Sequence, residues 1–213
     1  MTSQSPGACA FPDAAQTWNR RFSTSDFIFG TEPNEWLREQ AGLWHAGQRV
    51  LCVADGEGRN SVWLAQQALQ VDAYDIAETG VAKARELARA HGVSVSYAIA
   101  DCDSFDHGEA RYDGVAAIFV QFADPVMRDR LFASIKRCLK PGGTLILQGY
   151  TPRQLDYKTG GPPVRSHLYT ESLLRESFAD FDILALRDYE AELAEGSQHK
   201  GRSALIGLVA KKR

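Results

Sequence analysis

The chain has little to offer nucleic acid, a membrane or a metal. No basic run exceeds the "KKR" at the C-terminus, and formal net charge is −3 with a pI near 6.0, which argues against electrostatic capture of nucleic acid or an anionic lipid surface. No apolar stretch approaches the roughly 18 residues of a membrane span, and the opening "MTSQSPGACAFPDAAQ" lacks a basic segment followed by an apolar one. A soluble, cytoplasmic protein with no nucleic-acid or membrane partner is expected. Cys9, Cys52, Cys102 and Cys138 form no CxxC pair and read as reduced thiols. The five histidines (His45, His91, His107, His167, His199) show no paired ligand spacing. The acidic stretch "DCDSFDH" imitates a calcium loop but has Asp106 where the turn needs glycine and Tyr112 where a bidentate Glu belongs. No metal is expected. The dipeptide Gly-Lys never occurs, which closes the P-loop reading, and G-x-S-x-G is absent too.

What is present suits one α/β domain. The 213 residues, 44% of them hydrophobic, suffice for a single sizeable core. Residues 1–16 read as a flexible tail with no periodicity. Residues 17–48 form an aromatic leader containing Trp18, Phe22, Phe27, Phe29, Trp36 and Trp44, with Pro33 suited to the start of a short helix. From "RVLCVAD" onward, apolar strand-like runs alternate with amphipathic helices. The clearest are "ETGVAKARELARAHG", with Val81, Ala84, Leu87 and Ala88 on one side, and "DPVMRDRLFASIKRCLKPGG", capped by Asp124 and striped by Met127, Leu131, Ile135 and Leu139. Such alternation predicts a parallel sheet covered by helices on both faces. "FDILALRDYEAEL" and "SALIGLVAKK" lie too close together for a parallel crossover, so the sheet should close with an antiparallel hairpin around the loop "AEGSQHKGR".

The first strand-like run ends in "DGEGRN". Glycines that open a helix let a cofactor approach bare backbone and free N–H groups, and an acid ending the next strand, here Asp75, can grip ribose hydroxyls. The dinucleotide fingerprint wants a third glycine where this chain has Ser61, and no tyrosine is followed four places later by lysine. S-adenosylmethionine fits better.

The stretches "WNRRFSTSDFIFGTEPNEWL", "GEGRNSVWLA", "VDAYDIAETGVAKAR", "YAIADCDSF", "YDGVAAIFVQF" and "LKPGGTLILQGYTP" span nearly the whole chain in order. Together they resemble the class I S-adenosylmethionine-dependent methyltransferases, within them the small bacterial tellurite-resistance and thiopurine methyltransferase group. The resemblance implies a Rossmann-like, doubly wound, seven-stranded sheet in three α/β/α layers, mostly parallel with an antiparallel C-terminal strand, over residues 17–213. It implies S-adenosylmethionine as cofactor, S-adenosylhomocysteine as product, and direct in-line transfer to a small-molecule acceptor such as a thiol or chalcogen oxyanion. Cofactor contacts are expected from Asp55, Gly56, Glu57, Gly58, Asn60, Asp75, Ile76, Asp101, Cys102, Val120 and Trp18. Phe22, Phe29, Arg165, His167 and His199 are the acceptor-side candidates, His199 and His167 also for catalysis. The leader is expected to act as a lid whose removal leaves the rest folded, and the protein to be a monomer or homodimer. Two departures stand out: Cys52 replaces the usual acid of the first motif and Ala54 its first glycine, so Asp55 is expected to take the cofactor's ammonium group. The alternatives are a non-catalytic module binding S-adenosylmethionine or S-adenosylhomocysteine, and an NAD(P)-binding Rossmann protein.

Overall fold

The computed structural model describes residues 13–213. Cys9 and residues 1–12 of the expected tail lie outside the described residues. Helix α1 (Ala14–Phe22) already begins within that tail, burying Ala14 and Phe22. Helix α2 (Glu35–Gln40) starts after Pro33, because the Asn34 side chain accepts from the Leu37 N–H at 3.1 Å and serves as its N-cap.

The alternation then runs β1 (Arg49–Val53), α3 (Arg59–Gln66), β2 (Gln70–Asp75), α4 (Glu78–Ala90), β3 (Ser96–Ile99), β4 (Tyr112–Ile118), α5 (Pro125–Cys138) and β5 (Leu139–Tyr150). Short helices α6 (Gln154–Tyr157) and α7 (Glu171–Ser177) lead to β6 (Phe181–Glu195) and β7 (His199–Lys212). The seven strands lie in the order β3-β2-β1-β4-β5-β7-β6. β1 to β5 pair in parallel, while β7 pairs antiparallel with both β5 and β6, so β7 alone runs against the rest. The expected architecture is therefore the observed one. No helix among the described residues is long and apolar enough to cross a membrane.

Side chains alternate through the sheet into two cores. Leu51, Val53, Val115, Leu145 and Leu147 meet Leu131, Ile135, Leu174 and Phe178 on one face. Val50, Cys52, Val71, Ala116 and Ile146 meet Trp36, Leu37, Trp44 and Leu64 on the other. Cys52 is thus a core residue. The leader belongs to the second core: Trp36 and Trp44 lie against the sheet where Gly207 and Gly114 have no side chain, and an added Cβ would come within 2.4 and 2.3 Å of the indole rings. The Trp44 indole N–H donates to Thr144 Oγ1 at 2.6 Å.

Strand order reverses between β1 and its two neighbours, β2 and β4. That switch opens a crevice at the carboxyl ends of the strands.

Candidate functional site

The crevice is a cavity of about 180 Å³ whose walls come from the ends of β1, β2, β3 and β4 and from the leader. After β1 the backbone turns through Ala54 (φ 49°) and Gly56 (φ 62°). Left-handed φ at an alanine costs about 1–2 kcal/mol, strain of the kind that persists at functional sites. Asp75 pins this turn from β2: its carboxylate accepts from the N–H of Gly56 at 2.9 Å and of Ala77 at 2.8 Å. Asp55 accepts from the backbone N–H of Ser61 at 3.3 Å and from its hydroxyl. Both acids face the cavity, and neither has a salt-bridge partner among the described residues. Burial raises the Asp55 pKa to about 7, helped by Asp75 and opposed by the Ser61 hydrogen bonds. Burial raises Asp75 to about 6, against the Ala77 and Gly56 N–H groups.

Beyond β2 and β3 the wall continues with Ile76, Ala100, Asp101 and Cys102. Asp101 Oδ1 accepts from the N–H groups of Asp103 and Ser104, at 3.0 and 2.7 Å. The Cys102 thiol accepts from Tyr74 Oη at 3.4 Å, and burial pushes its pKa up to about 12, so it is a neutral thiol. Asp103, also on the wall, is paired with Arg130 at 2.8 Å.

A second chamber of about 270 Å³ adjoins the first and shares Trp18, Phe29, Phe119, Phe122 and His199 with it. His199 stands between Phe29 and Phe119, with ring centroids 4.5 Å from each. Its Nδ1 lies 3.4 Å from Glu195 Oε2, and that carboxylate receives Arg59 at 2.9 Å. All three side chains are buried or nearly so. Burial lowers the His199 pKa despite the Glu195 hydrogen bond, so the ring is neutral near pH 7. Burial would raise Glu195, but His199 and Arg59 outweigh it and hold the carboxyl at about 2.

Residues 50–143 match the family model described as "Methyltransferase domain". That stretch is less than half of the chain. The motifs from the first strand to "LKPGG" fall within the same stretch. At 16% identity and a TM-score of 0.75, the chain is similar to a structure solved for the conversion of a disulfide bond into a thioacetal group during echinomycin biosynthesis, over 93% of this chain and 91% of that one. TehB from Haemophilus influenzae aligns at 18% identity and a TM-score of 0.69, over 93% of this chain and 67% of TehB. A SAM-dependent methyltransferase from Methanosarcina mazei gives 19% identity and a TM-score of 0.69, over 85% and 98%. At these identities the likeness is one of fold. No curated protein matches by sequence.

Around the first cavity the structure gathers Asp55, Gly56, Asn60, Asp75, Ile76, Asp101, Cys102 and Trp18 of the expected cofactor contacts, with Phe22, Phe29 and His199 of the acceptor candidates. Five others sit elsewhere. Glu57 is turned away, its carboxylate taken by the Ile28 N–H at 2.8 Å and by Lys83. Gly58 serves packing between α3 and α4: a Cβ there would come within 2.7 Å of Ala84 Cβ. Val120 points into the core because β4 ends at Ile118 and Phe119 takes φ 56°, which inverts the alternation and leaves Phe119 and Phe122 at the cavity. Arg165 is exposed. His167 is buried in structural bonds, with Nδ1 3.0 Å from the Gln121 carbonyl oxygen. Asn60 is not the N-cap of α3, a place Gly58 holds, and its side-chain oxygen accepts from the Asn34 N–H at 2.9 Å.

Arg59 and Glu195 went unread in the sequence. The hairpin loop, expected to be nine residues, is three: β6 extends to Glu195 and β7 begins at His199, so the two face each other across the register.

Proposed function

We propose that the protein transfers a methyl group from S-adenosylmethionine to a small-molecule acceptor. The observation that carries this reading is the pair Asp55 and Asp75: two carboxylates without a salt-bridge partner among the described residues, facing one cavity at a glycine turn. A ligand bearing both an ammonium and a sulfonium suits such a donor set, whereas the diphosphate of a dinucleotide would be repelled by it. When bound, S-adenosylmethionine supplies an electrophilic methyl carbon, and the electrons of the broken S–C bond stay on sulfur.

This chain's residues do the rest. Asp75 accepts from the ribose hydroxyls, and Asp55 together with the Gly56 backbone holds the amino-acid end. Asp101 accepts from the adenine amino group, with Ile76 and Cys102 against the ring. Trp18, Phe22 and Phe29 exclude water and hold the acceptor in line, a source of rate that needs no strong base. His199, its Nδ1 directed by Glu195, offers Nε2 to take a proton from a protonated acceptor. The acceptor, a soft nucleophile such as a thiol, enters from the second chamber.

The test is incubation with methyl-labelled S-adenosylmethionine and separate panels of thiols, chalcogen oxyanions, amines and carboxylates. Label should appear in product from at least one class. His199→Gln should lower turnover by about 100-fold or more, the usual worth of acid–base catalysis, with S-adenosylhomocysteine affinity unchanged. Tight S-adenosylhomocysteine binding with no transfer to any class would favour the non-catalytic module instead.

A further inference from the structure

The second chamber is walled by Trp18, Phe29, Phe119, Phe122, Tyr150, Pro162 and Pro163, but two polar groups on it lack their natural partners. Arg21 is half-buried and its guanidinium lies 4.3 Å from the Trp18 ring centroid. Its hydrogen bond is to the neutral Gln198 side chain at 3.1 Å. It has no carboxylate partner among the described residues, and residues 1–12 contain no Asp or Glu. Burial lowers its pKa, the mark of a charge held away from water without compensation. The second group is the Tyr150 hydroxyl: the side chain is 1% exposed, and its oxygen has no hydrogen-bond partner. A buried donor left unpaired is costly, and a ligand in the chamber that met this hydroxyl would recover that cost. Neighbouring Gln121 is by contrast saturated, giving its amide to the Tyr150 and His167 carbonyls and accepting from the Tyr150 N–H.

Size sets the other half of the argument. A dry apolar cavity of about 150 Å³ accommodates benzene. The second chamber, at about 270 Å³ with aromatic walls, is far larger than a small inorganic oxyanion needs. Planar walls favour a planar apolar body. We infer that the second chamber takes an organic anion, a planar body of one or two rings carrying a carboxylate or similar group, recognised by the Arg21 guanidinium and the Tyr150 hydroxyl. This deepens the methyltransferase reading by assigning the acceptor's class: the charged group sits at Arg21 and the nucleophilic atom faces His199, where the chambers join. Arg21 is on the second chamber and not on the first, so its role is acceptor specificity, separate from cofactor binding.

The probes are 2-naphthoate, its neutral counterpart 2-naphthamide, and sulfate, titrated by Trp fluorescence and calorimetry into the protein with and without saturating S-adenosylhomocysteine. Naphthoate should bind about 10- to 100-fold tighter than naphthamide, the worth of a charge-assisted hydrogen bond. Arg21→Gln should erase that preference while leaving S-adenosylhomocysteine affinity within about twofold, and Tyr150→Phe should weaken naphthoate several-fold. Equal binding of the two naphthyl probes, binding of neither, a preference that survives Arg21→Gln, or sulfate binding tighter than naphthoate would each overturn the inference. Failure of S-adenosylhomocysteine to bind would count against the cofactor reading instead, because the naphthoate preference is also read without it.

Discussion

Replacing Asp75 by alanine is expected to weaken S-adenosylhomocysteine binding by about 1.5–3 kcal/mol, roughly 10- to 150-fold, the worth of hydrogen bonds to a charged acceptor. The structure adds a cost that position at a strand end does not suggest. Asp75 is buried and holds the N–H groups of Gly56 and Ala77, so the alanine variant also leaves two backbone donors unpaired and melts lower. Asp75→Asn separates the effects in part: Gly56 and Ala77 donate to different carboxylate oxygens, so the amide oxygen still accepts from one of them while the charge is gone. It should melt between wild type and the alanine variant and lose most of the affinity. The same carboxylates make binding depend on pH. A cationic ligand favours their ionised form, so affinity should fall as pH drops below about 7 and 6, the values that burial gives Asp55 and Asp75. In the ligand-free protein the sign reverses. The folded state holds these protons more tightly than the unfolded chain, so their contribution to stability is present below about pH 4 and is lost as pH rises towards 6–7. Calorimetry of both variants across pH 5–8 checks each part, and wild-type affinity in Asp75→Asn would remove the ribose assignment.

Deleting residues 1–30 is expected to abolish cooperative folding at 25 °C. The sequence alone suggests a detachable lid, because residues 17–30 follow neither a helical nor a strand period. The structure fastens this segment. Lys83 on α4 donates to the carbonyls of Phe22, Thr24 and Asp26, at 3.4, 3.0 and 2.6 Å, and pairs with the buried Glu57 carboxylate. Glu57 in turn holds the Ile28 N–H, and the Ile28 carbonyl accepts from Ser197 and Gln198 of the hairpin turn. Phe22 and Ile28 are buried against Ala77. Burying two such side chains is worth about 1.5–3 kcal/mol each, and breaking a buried ionic cluster about 3–5, which approaches the 5–15 kcal/mol of a whole domain. Lys83→Met tests the latch alone and should cost about 3 kcal/mol or more by leaving the Glu57 charge buried without its partner. A truncated chain that melts near the wild-type temperature would restore the detachable lid.

The sheet was legible because its strands and helices keep clean periods, and because Asp124 and Gly92 mark helix ends where they stand. Asp55, Asp75 and Asp101 on the first cavity were legible for a similar reason, each at or just beyond the carboxyl end of a strand. Less of the second chamber could be read. Glu195 and His199 looked like loop residues because the hairpin's outer half is polar, as suits β6 at the sheet edge, and polarity concealed the strand extension that brings them together. Arg59 became visible only when the helix after the glycines aimed it across 136 positions at Glu195. Val120 lies in the core because β4 ends at Ile118 and Phe119 reverses the alternation, a turn that nothing in the sequence marks. Arg21 and Tyr150 are ordinary residues in sequence, and their significance lies in partners they do not have.

The central claim is that the Asp55–Asp75 cavity binds S-adenosylmethionine and its product. Calorimetric titration of the intact protein with S-adenosylhomocysteine and, separately, with NADH tests it most directly. The account predicts a micromolar dissociation constant for S-adenosylhomocysteine, on the order of 8 kcal/mol, and no measurable heat from NADH. NADH binding the tighter of the two, or no binding of S-adenosylhomocysteine, would contradict it.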